Sequence, residues 1–180
     1  GRLDRAAPLY EEALRLFKAR QGSSHPDTLN CMNNLAAAYR ASGDAERSLA
    51  LLREAAAPLE KIGFEAQYAD RIVHNLIGTM ELLGRLDEAE SWRRKWLAAA
   101  KERSGADSIP YADESQALGI HLLRRERWSD AEAVLRESLA VRDVREPDAP
   151  ETHRNRSLLG RALMGRKAYA EAEPVLVQAY

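Results

Sequence analysis

Small and apolar side chains recur along this chain at two nested intervals. The shorter is helical. In "GRLDRAAPLYEEAL" at the start, "GDAERSLALLREAA" from Gly43, "GRLDEAESWRRKWL" from Gly84 and "ERWSDAEAVLRESL" from Glu126, a small residue is followed by apolar positions three and eight further on. Such offsets belong to a period of 3.6 residues and predict an amphipathic helix. The longer interval is the spacing of the small residues themselves. Ala6, Ser48, Ala89, Ala131 and Ala172 are separated by 42, 41, 42 and 41 residues. Leu9, Leu51, Trp92, Val134 and Val175 keep the same register, as do Leu14, Ala56, Leu97 and Leu139.

A second helical pattern lies between these copies, in "CMNNLAAAY", "IVHNLIGTM", "ESQALGIHL" and "NRSLLGRAL". Its own columns are Leu35, Leu76, Leu118 and Leu159, each followed by Ala36, Ile77, Gly119 or Gly160. Each period therefore predicts two antiparallel helices. Punctuation agrees: Gly22, Gly63 and Gly105 share the column after the long helix, where a left-handed residue favours glycine, and Glu146 replaces it in the last copy. Pro26 and Pro150 occupy equivalent first-turn positions, where a missing N–H does no harm. Asp87 with Glu90, and Ser129 with Glu132, read as capping boxes. Pro58, deep in "REAAAPLEKIG", predicts a bend or an early helix end. Pro8 and Pro174 share another column, and a helix capped by Asp4 would put Pro8 among the first four residues and leave that helix straight.

Self-similarity at a fixed period signals an all-α solenoid in which each helix pair buries its apolar face only against its neighbours. The divisions expected are residues 1–22 (the second helix of a repeat), 23–63, 64–105 and 106–146 (full repeats) and 147–180 (a partial repeat), in one continuous solenoid. The missing initial Met and the stop inside the pattern suggest a piece of a longer protein.

Composition narrows the function. Of 180 residues, 45% are apolar and 31% charged, enough for an ordinary core. With 27 basic and 28 acidic side chains there is no global pull toward nucleic acid or an anionic membrane, so any charge preference is local. Aromatics, at 6%, are too sparse for a base-stacking surface. No apolar run is long enough for a spanning helix or a signal peptide. One cysteine, Cys31, excludes an internal disulfide and fits a reducing, cytoplasmic setting; on an apolar helix face it reads as packing. His25, His74, His121 and His153 lack the spacing of a zinc site, and no phosphate loop or nucleophile elbow is present. These observations predict neither catalysis nor a metal or cofactor.

The leucine and small-residue columns, the apolar or aromatic residue three further on (Tyr39, Met80, Leu122, Leu163) and the small residue opening the next helix resemble the tetratricopeptide repeat. The long period, "HPDT", "NNLAAAY" and "AAPLYEEAL" resemble its kinesin-light-chain type more specifically. A common unit of that family is about 34 residues, so the period here adds roughly one turn to each helix and keeps the faces in phase. The resemblance implies a right-handed superhelix of helix pairs whose first helices line a concave groove for protein segments. Its groove positions fall on Asn30, Asn33, Ala37 and Arg40; on Arg71, His74, Gly78 and Glu81; on Asp113, Gln116, Ile120 and Leu123, with Arg124 beside them; and on Arg154, Ser157, Arg161 and Met164. Five arginines against two acids imply an acidic or carboxylate-bearing peptide, since the guanidinium fork binds carboxylates by two hydrogen bonds. Asn30, Asn33, His74 and Gln116 would add neutral contacts to the peptide.

One departure from the pattern stands out. Trp96 falls in the column of Ala13, Ala55, Ser138 and Ala179, where the resemblance calls for a small side chain. With Trp92 it is either an anchor for a partner or a repacked core eased by Gly78 or Gly119. An alternative function is the sensory or regulatory part of a larger signalling protein, with a kinase, nucleotide-binding or DNA-binding domain elsewhere. End-to-end self-association is expected if the apolar end faces are uncovered.

Overall fold

The computed structural model describes residues 3–62, 64 and 68–179, with side chains from residue 6 onward. Among these residues the regular elements are nine helices: α1 (Leu3–Gln21), α2 (Pro26–Ala41), α3 (Ala45–Lys61), α4 (Ala69–Leu82), α5 (Leu86–Ser104), α6 (Ile109–Arg124), α7 (Trp128–Arg145), α8 (Pro150–Gly165) and α9 (Tyr169–Val177). They pack in sequential antiparallel pairs. None is long and apolar enough to cross a membrane.

Two compact units, Gly1–Trp92 and Arg93–Tyr180, divide the chain within α5. In the first, α2 packs against α1, α3 and α4, and α3 also packs against α4. In the second, α7 joins α6 to α8, α6 also touches α8, and α8 packs on α9. The recurring columns are the core. Leu35, Leu76, Leu118 and Leu159 are all buried, as are Ser48, Ala89, Ala131 and Ala172. A sheet of helices can repeat in this way only if each step presents the same small residue to its neighbour, because packed interiors leave no void to absorb a larger one. Gly119 marks a close approach: a Cβ there would lie 2.6 Å from Cγ of Leu135 on α7, and one at Gly160 or Gly165 would come closer still to Leu176 or Trp128. The side chain missing at Gly119 makes room for Leu135, whereas the sequence suggested that it eased Trp96.

The turn after each first helix has one construction throughout. Asp44, Arg85, Arg127 and Ala168 donate their N–H groups to the carbonyls five residues back, on Tyr39, Met80, Leu122 and Leu163, at 2.9, 2.9, 3.0 and 2.9 Å. This closure forces the residue just before each donor into the left-handed region. Gly43 and Gly84 accept it at φ 90° and 72°, but Glu126 and Lys167 take φ 57° and 63° without a glycine. After the second helices, Gly22 and Gly105 are left-handed at φ 87° and 90°, while Glu146 at φ −147° avoids that region. Gly63 lies outside the described residues.

Helix starts correct several expectations. Pro26 and Pro150 open α2 and α8 as read. By contrast α5 and α7 begin at Leu86 and Trp128, one residue before Asp87 and Ser129, so neither residue stands at the N-cap position expected of it. The turn closure at Arg85 and Arg127 restarts the helix immediately and leaves no room for a later cap. Among these second helices Asp44 provides the side-chain cap, accepting from Arg47 N at 3.1 Å. Likewise α1 is already helical at Leu3, so Asp4 is not its cap. Pro8 and Pro174 are each the sixth helical residue, and both helices run on through them. Nor does Pro58 end α3, which continues to Lys61; sitting in the last turn, it costs the one bond that an N–H there would make to the Glu54 carbonyl.

Candidate functional site

In the first unit, α2 and α4 lie side by side and their polar columns meet. Asn30 and Arg71 are 41 residues apart, and Nη2 of Arg71 donates to Oδ1 of Asn30 at 2.6 Å. One turn on, Asn75 Nδ2 donates to Asn33 Oδ1 at 2.8 Å, and Arg40 Nη2 reaches Asn75 Oδ1 at 3.5 Å. Asn30, Tyr68, Asp70 and Arg71 line a polar groove of about 410 Å³ at the N-terminal ends of the two helices. His74 is exposed and turned back to its own helix, with Nδ1 2.9 Å from the Asp70 carbonyl oxygen and 3.2 Å from Asp70 Oδ1. Asn33 is enclosed, its carbonyl committed to Asn75, so it holds the lattice together and is not presented to solvent.

The second unit offers different chemistry. On α8, Arg154, Ser157, Arg161 and Met164 form one exposed stripe at offsets of three, seven and ten residues. Arg154 and Arg161, about 10 Å apart along the axis, make no ion pair or hydrogen bond with any described residue. On α6, Arg124 is exposed but engaged, whereas Gln116 is buried, with Oε1 unpaired among the described residues. Burial removes Gln116 from the surface on which the sequence placed it, because its helix turns that side toward the core. Asp113, the acid expected on this face, accepts a hydrogen bond from Nη2 of Arg142 on α7.

Sequence reasoning missed three of these residues. Asn75 is legible in retrospect, since it repeats the column of Asn34. Tyr68 lies outside both helical patterns. Arg142 breaks an apolar column otherwise filled by Phe17, Leu59 and Ala100, and it is only 1% exposed.

The tryptophans separate. Trp96 is buried, with the Arg103 guanidinium 4.3 Å above its ring, and Trp92 is half-buried, edge-on to Phe64 at 6.2 Å. Both are packing residues. Burial pushes the Cys31 thiol up, and its Sγ lies 3.7 Å from the Tyr10 carbonyl, a setting for an inert thiol. His25 caps α2, accepting from Asp27 N at 3.2 Å.

Ion pairs brace the second helices of successive pairs: Arg47 with Glu11 at 3.1 Å and Lys18 with Glu54 at 2.7 Å in the first unit, Arg136 with Glu171 at 2.9 Å in the second. Glu132 lies between Arg136 and Arg166. Burial alone would raise its pKa, but hydrogen bonds from Arg166 and Arg136 and their charges outweigh that and hold it below the usual glutamate value.

Residues 1–61 and 117–180 each match a family model described as the tetratricopeptide repeat. No curated protein matches the sequence. Among solved structures, the nearly identical TPR-like repeats of a candidate kinesin light chain from Podosopora anserina are 20% identical, with a TM-score of 0.82 over 99% of this chain and 86% of that one. BtubC (BKLC) from P. vanneervenii is 21% identical with a TM-score of 0.79, over 99% and 72% of the two chains. MamA is 15% identical with a TM-score of 0.66, over 98% and 86%. At these identities the likeness is one of fold.

Proposed function

Because this chain belongs to the tetratricopeptide repeat family, whose domains typically mediate protein–protein interaction, we propose that the faces carried by its first helices receive extended, acidic segments of a partner protein. The supporting observation is the α8 stripe. Two exposed arginines without partners, spaced about 10 Å, match carboxylates roughly three residues apart on an extended chain rising ~3.3 Å per residue. Ser157 between them offers a hydroxyl to the peptide backbone, and Met164 an apolar contact. In the first unit Arg71, His74 and Arg40 supply further donors above the asparagine lattice.

Each exposed pair contributes only ~0.2 to 1 kcal/mol, and ordering a flexible peptide costs about 2 to 5 kcal/mol. Micromolar, salt-sensitive binding follows. The reading involves no covalent chemistry, no bound metal and no nucleic acid, and a reducing compartment suits the buried thiol of Cys31. Fluorescence anisotropy with a labelled hexaglutamate peptide and its hexaglutamine counterpart tests it. The acidic peptide should bind more tightly, and Arg154→Ala and Arg161→Ala should each weaken it about threefold, less so at high salt. Equal binding of the two peptides would overturn the proposal.

Leu9 and Leu16 on α1, exposed at 73% and 53%, support a second reading in which this face associates with another copy. Sedimentation at increasing concentration should then show a dimer that Leu9→Lys abolishes. A monomer throughout would exclude it.

A further inference from the structure

We propose that the buried Arg142 is a specificity-determining residue: by capturing the Asp113 carboxylate from behind, it keeps Arg154 available to an acidic ligand. The proposal rests on the peptide-binding reading above and adds what tunes it.

The repeat supplies an internal control. Asn30 and Arg71 stand at one register position of neighbouring first helices in the first unit, and they are hydrogen-bonded at 2.6 Å. Asp113 and Arg154 stand at that same position on α6 and α8, helices that also pack together. The equivalent contact would be an ion pair, stronger than the neutral one. It is absent, because Asp113 is bound to Arg142, and Arg154 is left exposed without a partner. In the first unit the position of Arg142 is held by Leu59, fully buried and without charge, and there the neighbouring Asn30 is free to take Arg71.

Stability is a weak reason for an arginine in that column. Replacing a buried ion pair by a well-packed apolar residue is often neutral or stabilising. Arg142 is nearly solvent-free; Nη1 reaches Glu146 at 3.4 Å, and Nε finds no partner among the described residues. Other charges around it are already engaged, Asp143 with Arg156 at 2.7 Å and Glu137 with the Tyr111 hydroxyl at 2.6 Å. What Arg142 does achieve is to neutralise the acid on the face that presents Arg154 and Arg161.

The test uses the full chain, labelled hexaglutamate and anisotropy at low salt. Arg142→Leu restores the residue that Leu59 shows this column accepts, and it should weaken binding two- to fivefold, because Asp113 is then free to pair with Arg154. In that background Arg154→Ala should have little further effect, and Asp113→Ala, which removes the competing acceptor altogether, should restore wild-type affinity. Asp113→Asn alone, in which Arg142 still holds the side-chain oxygen and which does not depend on the Leu variant folding, should bind at least as tightly as wild type. Unchanged affinity in a folded Arg142→Leu protein, failure of Asp113→Ala to rescue it, or weaker binding by Asp113→Asn alone would each overturn the inference. A wild type indifferent to peptide charge overturns the underlying reading, whereas a selective wild type with an unresponsive Arg142→Leu overturns this inference alone.

Discussion

In the first unit Arg71 and Arg40 reach the amide oxygens of Asn30 and Asn75, whereas in the second Arg154 and Arg161 reach no described residue. Arg71 and Arg154 share one register position, which closes on a neighbouring side chain in the first case and carries unpaired charge in the second. The cores diverge alongside them. Leu59 and Ala36 of the first unit correspond to Arg142 and Gly119 of the second, and the left-handed turns held by Gly43 and Gly84 correspond to Glu126 and Lys167. One periodic scaffold therefore tolerates a relaxed and a constrained version of each site, and the constrained version is the one with free arginines.

The largest expected effect tests that constraint directly. Gly119→Ala should destabilise the protein by about 1 to 3 kcal/mol, since the new Cβ would meet the Leu135 side chain at 2.6 Å with a packed helix behind it. Ala36 occupies the same column of the first unit, so the penalty belongs to Gly119's neighbour and not to the helix position. A urea denaturation midpoint lowered without change in slope would show it. Next come the turns. Glu126→Gly and Lys167→Gly should each stabilise by about 1 kcal/mol, and Gly43→Ala and Gly84→Ala should destabilise by a similar amount, because the left-handed conformation penalises any Cβ. Thermal melts should move about 2 to 4 °C per substitution, in opposite directions for the two units.

A smaller difference should appear in acid. The folded state holds the Glu132 pKa below its unfolded value of about 4.3. Its contribution is therefore complete above that value and lost as pH falls through the depressed folded pKa. Between about pH 5 and pH 3, the urea midpoint of wild type should fall more steeply than that of Glu132→Gln. The smallest effect separates the two faces: Arg71 must leave Asn30 before it can bind a carboxylate, so Arg71→Ala should reduce hexaglutamate affinity less than Arg154→Ala does, by under about twofold.

Periodicity made the helix pairs and their buried columns readable, because a face that repeats every 41 or 42 residues has to meet its neighbour at each step. It also placed Arg71, Arg154 and Arg161 on exposed helix sides. What it could not give was distance. Whether a polar residue in a helical register faces solvent or is enclosed by the next helix depends on how closely the pair packs, and this is why Asn33 and Gln116 were expected on the surface yet are buried. Helix starts were hidden for a related reason. Those of the second helices follow a backbone bond spanning five residues, which closes the same way over Gly43 or Glu126, so α5 and α7 begin one residue before the caps expected at Asp87 and Ser129. Arg142 was visible as a fault in an apolar column, but its role needed the position of Asp113.

The three-residue links between Ala41 and Ala45, Leu82 and Leu86, Arg124 and Trp128, and Gly165 and Tyr169 leave no slack. Extra residues spliced there would break the closing bond and throw the following helix out of phase. Between Lys61 and Ala69 the interval is longer and α4 correspondingly short, so the step from Ser48 to Ala89 stays at 41 residues, and the buried Phe64 within it packs edge-on to Trp92.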